Sequence, residues 1–304
     1  MKSALLIGFG SIGARHAQIL VEYGVQVSAI TNNPHCLYPK FPTIDTALAA
    51  TMPDLTVVCN ETSLHIETLE RLAECGYAET VLVEKPLSGR PTLMRKWPFA
   101  NLFVAYNLRF HPVIQALRHA LAAEKVISAQ IYVGQYLPSW RPERDYRQSY
   151  SARRDAGGGA LRDLSHELDY ALWLFGNWQG VTAIGGRFSQ LDIDSDDSWA
   201  ILMRLERCPM LTLQMNYLDR TARREIIVNT ETYSYKANLV NNTLQKEDGE
   251  QRFICERDTT YRLQMEAVLA DNRSDLCSFA DGVKVVELIH RIEDAAASVT
   301  WVAP

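Results

Sequence analysis

Ala4-Leu5-Leu6-Ile7-Gly8-Phe9-Gly10-Ser11-Ile12-Gly13-Ala14-Arg15-His16 is the stretch from which the architecture can be read. Ala4 to Ile7 is a continuous apolar run, as expected of a strand buried on both faces. Gly8, Gly10 and Gly13 follow with the spacing G-x-G-x-x-G, and Ala14 to Val21 predicts a helix. Strand, turn and helix succeed one another directly, which is the context a dinucleotide-binding turn requires. Gly8 permits the tight turn, Gly10 removes a side chain where a pyrophosphate approaches, and Gly13 lets helix and strand pack closely. The amides around Ser11 and Ile12, at the positive end of the helix, then face the phosphates. A purely structural glycine turn is the alternative reading.

The 304 residues suffice for two domains, and 47% hydrophobic with 22% charged residues is ordinary for a globular chain. A net charge of -5 gives no general attraction to nucleic acid or to anionic membranes. No stretch approaches the ~20 apolar residues of a membrane span. The opening apolar run is too short for the core of a signal peptide. Six scattered cysteines without a C-x-x-C pair read as buried thiols of a reducing cytoplasm. No metal site is expected. The triplets at Asn60 and Asn241 that resemble glycosylation sites read as chance.

After the first helix, Val25 to Ile30 reads as a second strand, followed by Thr31-Asn32-Asn33. An acidic residue there would bind the ribose 2′-hydroxyl of NAD, and a basic one would accept the 2′-phosphate of NADP. Thr31 and Asn32 are neither. Without a carboxylate to repel phosphate the balance tilts toward NADP, with NAD left open. Asp54 to Cys59, Val81 to Glu84 and Leu102 to Tyr106 continue the strands, with Ser63 to Cys75 as a helix. This alternation predicts a parallel, doubly wound sheet, with ligands at the carboxyl ends of its strands. Those ends are Asn60 to His65 (with Thr62), Lys85-Pro86, and Asn107 to His111.

From Val126 onward the runs change to Ile127 to Val133, Val181 to Phe188, Trp199 to Leu205, Leu211 to Tyr217 and Glu225 to Asn229. Consecutive strands with few helices between them predict a mainly antiparallel sheet. The expected division is 1–112 for the dinucleotide domain and 113–304 for an α+β domain binding substrate. Helix Val113 to Ala123 is the crossover, and helices near Tyr261 to Asp271 and Phe279 to Ala297 close the chain.

Three segments could carry chemistry. Lys85, between Glu84 and Pro86 at a strand end, can polarise a substrate oxygen. In Gly157 to Gly176, Leu161, Leu164, Leu168, Leu172 and Phe175 form one helical stripe. Asp163, His166, Glu167 and Tyr170 fall opposite, as a proton-transfer and substrate-binding face or as a solvated one. Trp140 to Arg154 interleaves Arg141, Arg144, Arg147, Arg153 and Arg154 with Trp140, Tyr146 and Tyr150. Guanidinium groups grip phosphate or carboxylate, so Arg147 and Arg153 are expected to hold an anionic substrate such as a nucleotide-sugar or sugar acid, or else the segment is a solvated or subunit-contacting loop.

Together these residues resemble the Gfo/Idh/MocA family of NAD(P)-dependent oxidoreductases over nearly the whole chain. The likeness comprises Gly8 to Gly13, the Thr62 to His65 turn, Glu84-Lys85-Pro86 and Tyr106-Asn107 through Arg109 to His111-Pro112. Most specific is Gly157 to Gly176, similar to the family's GGG-x-L-x-D…H-x-x-D…L-x-G signature. The resemblance implies a Rossmann domain, an open antiparallel α+β domain forming homodimer or homotetramer contacts, and reversible hydride transfer to or from a carbohydrate-like alcohol. It further implies that Lys85 lies beside the nicotinamide, that the Pro86 peptide is often cis, and that His166 is the acid/base with Asp163 as partner. Asn107 or Arg109 then helps hold substrate. The family usually has one more residue between that aspartate and histidine. Counting back from Gly176 therefore selects His166, whereas counting forward from Asp163 selects Glu167. The form Asp-Leu-Ser-His-Glu-Leu-Asp-Tyr, preceded by Ser-Tyr-Ser-Ala-Arg, also looks like members associated with surface-polysaccharide or amino-sugar biosynthesis. Two other readings stand beside the sugar oxidoreductase: a non-catalytic NAD(P)-binding regulator, and a reductase of a bilin-type or trans-diol substrate.

Overall fold

The structure, a computed structural model, describes residues 1–91 and 94–304. Two compact units form: residues 1–107 with 258–286, and residues 108–257 with 287–304.

The first unit runs β1 (Ser3–Ile7), α1 (Ser11–Glu22), β2 (Gln26–Ile30), β3 (Lys40–Phe41), α2 (Ile44–Thr51), β4 (Leu55–Val58), α3 (His65–Glu74), β5 (Thr80–Val83) and β6 (Asn101–Val104). Its strands lie in the order β3-β2-β1-β4-β5-β6, all parallel. Sequential order reverses between β1 and β4, the switch point where doubly wound sheets open a crevice. Ala4 to Ile7 are buried, Leu5 and Leu6 completely. At ~1.5–3 kcal/mol for each large apolar side chain removed from water, this short strand anchors the sheet. His16, Ala17, Ile19 and Leu20 form the buried stripe of α1. Strand β3 and helix α2 are additional to the elements expected from the sequence. A two-residue strand has no periodicity to read, but α2 carried a signal: Thr43 and Thr46 form a reciprocal capping box at its start.

The second unit contains α4 (Pro112–Ala120), β7 (Val126–Gly134), α5 (Ala160–Asp163), α6 (His166–Phe175), β8 (Trp178–Gly186), β9 (Ser198–Leu205), β10 (Cys208–Asn216), β11 (Arg223–Thr230), β12 (Ser234–Asn238), β13 (Thr243–Lys246) and β14 (Gly249–Arg252). Its sheet runs β14-β13-β12-β11-β7-β10-β9-β8. All neighbours are antiparallel except β7 with β10. Ile131 lies opposite both Leu213 and Ile226, and all three are buried on the face that carries the core. Helices α4 and α5 pack on this sheet.

Where the sequence reading kept everything after Pro112 together, the chain returns to the first unit through α7 (Thr259–Leu269) and β15 (Cys277–Ser278). Strand β15 pairs antiparallel with β6, and α7 lies against α1. The division then falls within α8 (Phe279–Ser298).

One local expectation is corrected. The stretch after Gly159 is two helices, not one, with Leu164 and Ser165 breaking it. Its polar side is interior: Asp163, Glu167 and Tyr170 are buried, whereas Leu172 of the supposed apolar stripe is half-exposed. A solvated face is thereby ruled out. Buried polar groups must find partners, and these do.

Candidate active site

In the first unit, the turn after β1 fits a dinucleotide by shape. Gly8 has φ +98°, and a Cβ there would lie 2.6 Å from the Asn60 amide nitrogen and the Cys59 carbonyl at the end of β4. A Cβ on Gly13 would lie 2.5 Å from the Gly8 carbonyl. Both are close backbone approaches that only glycine allows. A Cβ on exposed Gly10 would meet nothing within 4 Å. Gly10 is also the N-cap of α1, which no side chain caps, so this open space borders backbone amides of Ser11, Ile12 and Gly13.

At the end of β2 the Thr31 hydroxyl accepts from the Asn33 amide at 3.0 Å, and the Asn33 side chain donates to the Phe9 carbonyl at 2.8 Å. This pins residues 31–33 against the glycine turn, with Asn32 exposed. Asn60 donates to Thr68 at 2.8 Å. Thr62 is half-buried at the start of a short helical turn leading into His65. The buried His65 ring has its nitrogens 3.1 Å from the Pro86 carbonyl and 3.3 Å from the Asn60 carbonyl. Burial pushes its pKa down, and the neutral ring, with one N–H, donates to one of these two carbonyls.

Lys85 follows β5, half-buried, and the Lys85–Pro86 peptide is cis. Its backbone amide donates to Glu84 at 3.1 Å, and His16 donates its Nε2 proton to the other Glu84 oxygen at 2.7 Å. Burial alone would raise the Glu84 pKa. The hydrogen bond and charge of His16, with the Lys85 charge, hold it below the ordinary carboxylate range. This role of His16 is additional to those expected from the sequence. Its signal was a histidine on the buried stripe of the very helix the glycine turn begins. Asn107 is buried and donates to the Thr260 hydroxyl at 2.7 Å. It serves the packing of α7 rather than an open surface.

In the second unit, Asp163 ends α5 and accepts from the Tyr217 hydroxyl at 2.6 Å. His166 opens α6 and is half-buried. Glu167 is fully buried and held by Arg224 at 2.7 and 3.1 Å, with the Tyr170 hydroxyl donating at 3.1 Å. Tyr170 is itself fully buried, and burial beside the Glu167 charge raises its pKa well above the phenol range. Arg109 is 3% exposed and grips Asp169 through Nε and Nη2, the shortest contact 2.7 Å. Glu167, Tyr170 and Arg109 therefore make internal cross-braces, and substrate contacts by Arg109 and Tyr170 do not fit their burial.

The arginine-rich segment lines a cavity of about 450 Å³. Its walls are Leu137, Trp140, Arg141, Arg144, Tyr146 and Tyr150, with Glu143 and Asp145 also at its edge. Arg147 and Arg153, the two arginines singled out from the sequence, are not among the lining residues. Arg147 holds Asp145 at 2.7 Å and Arg153 holds Asp155 at 3.2 Å, both two residues away on the surface. Sequence spacing cannot tell which arginines of such a loop turn inward.

His111, ahead of α4, is buried and its Nδ1 accepts from the Val113 amide at 3.2 Å, capping the helix. Burial and the nearby Arg224 charge depress its pKa to about 4. Because this value lies below the ordinary histidine value, its contribution is complete above ~6.5 and is lost as pH falls toward 4. Thermal melts between pH 7 and 4 should show this loss, on the order of 3 kcal/mol at its limit. His111→Asn, which keeps a capping acceptor, should flatten the pH dependence; an unchanged slope would refute the assignment.

Residues 114–236 match the GFO/IDH/MocA C-terminal domain. Inositol 2-dehydrogenase of Rhizobium meliloti (strain 1021) is 27% identical over 190 residues, 56% of this chain and 54% of that protein. The match thus spans about half the length of that curated relative. Among solved structures, levoglucosan dehydrogenase in complex with NADH superposes with a TM-score of 0.84 at 18% identity, over 99% of this chain and 98% of that one. The WlbA dehydrogenase from Bordetella pertussis, in complex with NADH and UDP-GlcNAcA, gives 0.82 at 19% identity, over 100% and 99%. These structural likenesses are likenesses of fold. The match to the GFO/IDH/MocA C-terminal domain thus covers residues 114–236, and the solved dehydrogenases share the fold of the whole chain.

Proposed function

We propose that the protein transfers a hydride between a nicotinamide dinucleotide and a secondary alcohol or ketone of a sugar or sugar derivative. The observation carrying this reading is the switch point of the first sheet. There the adjacent carboxyl ends of β1, β4 and β5 present the Gly8–Gly13 turn, Asn60 and Lys85. The bare space at Gly10 fits a pyrophosphate on the Ser11, Ile12 and Gly13 amides. Thr31 and Asn32 would meet the adenosine ribose. Asn60, Thr62, His65, Glu84 and Pro86 would frame the nicotinamide half. When bound, the dinucleotide supplies or takes up the hydride.

The chain's own residues do the rest. Lys85 steadies the substrate oxygen as it gains negative charge. His166 accepts the hydroxyl proton in oxidation and returns it in reduction. The engagement of Glu167 by Arg224 and Tyr170 supports His166 as the proton carrier, with Asp163 its acidic neighbour in sequence. A sugar or polyol substrate is supported by the relatives' names, which specify inositol and levoglucosan dehydrogenases. The decisive test is transfer of deuterium from C4 of labelled NADPH or NADH into the alcohol product of a sugar ketone. A protein that binds the dinucleotide and transfers no label would be a sensor, and the reading would fall.

Two substitutions test the cofactor turn. Gly10→Ala is expected to leave the melting temperature unchanged and weaken dinucleotide binding by roughly tenfold or more, ~1.4 kcal/mol. Gly8→Ala, strained and clashing with β4, is expected to lower the melting temperature itself. If both act alike, the turn is structural only. The Thr31-Asn32-Asn33 terminus, lacking a carboxylate, supports NADP over NAD. Asn32→Asp should therefore weaken NADPH binding about tenfold and spare NADH, read by fluorescence titration. Equal loss of both would point away from the 2′-phosphate.

Self-association through the second sheet belongs to the same reading. Ile184 and Met210 stand exposed, and Leu202 half-exposed, on the face opposite the core. Light scattering on the purified protein measures it directly.

A further inference from the structure

Glu84, the residue after β5, carries a carboxylate into the interior of the first unit, where it is 8% exposed. Burying an ion costs more than burying an apolar side chain of similar size, so packing alone gives no reason for it. What holds it is specific. His16, from the helix that the glycine turn begins, reaches one carboxylate oxygen at 2.7 Å, and the Lys85 amide donates to the other at 3.1 Å. The His16 ring is completely buried, with the Tyr261 ring of α7 edge-on to it, centres 5.9 Å apart. Among the described residues no hydrogen-bond partner meets its Nδ1. The polar engagement of that ring is therefore spent on Glu84.

The Glu84 charge is felt by its surroundings. It adds to burial in raising the pKa of the Cys59 thiol, just after β4, and of the Tyr261 phenol, the latter to about 12. At His65 it opposes burial. Groups on three other segments thus face one buried anion. Arg15, the neighbour of His16, lies over the Tyr261 ring and pairs with Asp258 at 3.1 Å, so its charge is answered elsewhere. Glu84 and Lys85 are successive residues, and the end of β5 carries one negative and one positive charge side by side.

The oxidised nicotinamide ring is a cation and the reduced ring is neutral. A strand end that presented the Lys85 ammonium alone would repel the first and not the second. We propose that the Glu84 carboxylate, fixed by His16, is the counter-charge that offsets Lys85 and thereby sets the affinity of the site for oxidised relative to reduced dinucleotide. The inference rests on the hydride-transfer reading and extends it to the potential of the bound cofactor. Glu84 and His16 act in it through charge and placement, not by moving a proton. It also accounts for a histidine in the buried stripe of α1, where an aliphatic side chain would pack at lower cost.

Fluorescence and calorimetric titrations with NADP+ and NADPH, and with NAD+ and NADH, test this without any substrate. Glu84→Gln keeps one of the two acceptor oxygens and removes the charge. It is expected to weaken the oxidised form roughly tenfold and leave the reduced form within about twofold, which raises the potential of the bound couple by about 30 mV. His16→Leu, which withdraws the donor from the carboxylate, should move the ratio of affinities the same way by about threefold or more, and serves alone if Glu84→Gln does not fold. His16→Gln keeps a donor and should stay within about twofold of the original ratio. A ratio unmoved by Glu84→Gln and His16→Leu, whether both forms bind as before or weaken alike, would make the pair a structural brace and overturn the proposal. Unaltered protein that binds neither form would remove the hydride-transfer reading itself. Unaltered protein that binds both, with the ratio unmoved in the variants, retains that reading and loses this inference alone.

Discussion

Lys85→Met is expected to lower kcat by about 10²–10³-fold, equivalent to ~3–4 kcal/mol of transition-state stabilisation, with dinucleotide affinity nearly intact. In the proposed reaction its charge acts on an oxygen that becomes more negative only as the hydride moves, so the loss should fall on turnover rather than on binding. Methionine preserves the length and apolar stem of the side chain. The hydrogen bonds to Glu84 remain without the ammonium: the backbone amide of Lys85 bonds one carboxylate oxygen and His16 holds the other. Stopped-flow reduction with a fixed excess of cofactor would separate the two effects. A variant that turns over normally would remove Lys85 from the chemistry.

Arg109→Ala should destabilise the second unit by about 3–5 kcal/mol, because it strands the Asp169 carboxylate in an interior where 1% of that residue is exposed. At roughly 2–4 °C per kcal/mol for a unit of this size, the melting temperature would drop on the order of 10 °C. The paired replacement Arg109→Met with Asp169→Leu removes both charges and should recover much of the loss. Had Arg109 been a substrate ligand, the single variant would melt normally and show a raised KM instead. Calorimetry and steady-state kinetics on the same preparations distinguish the two.

Both sheets could be read from the sequence because local patterns specify them. The run Ala4 to Ile7 joined to three glycines leaves little freedom, and the short β-rich runs after Val126 required a second sheet of different kind. The polar residues after Gly157 were harder. Helical periodicity placed Asp163, Glu167 and Tyr170 on a common face, but periodicity says nothing about what covers that face. Arg224, which neutralises Glu167, arrives from a strand 57 residues away. Asp169 is met by Arg109 from 60 residues upstream. The same limit governed the arginine-rich loop, where inward and outward guanidinium groups differ by backbone turns that composition does not encode. The pairing of His16 with Glu84 spans 68 residues and was equally hidden.

The antiparallel pairing of Cys277 with Val104 has a consequence for how the molecule is made. During synthesis the edge strand at Val104 stays uncovered until residue 277 has left the ribosome, after residues 108–257 of the second unit have been translated. Completion of the first sheet is therefore a nonlocal closure, the class of event that slows folding and exposes nascent chains to self-pairing. An isolated segment ending at residue 107 would carry that bare edge permanently, and genetic dissection of the two units must retain the tail if the nucleotide-binding half is to stay monomeric in the test tube.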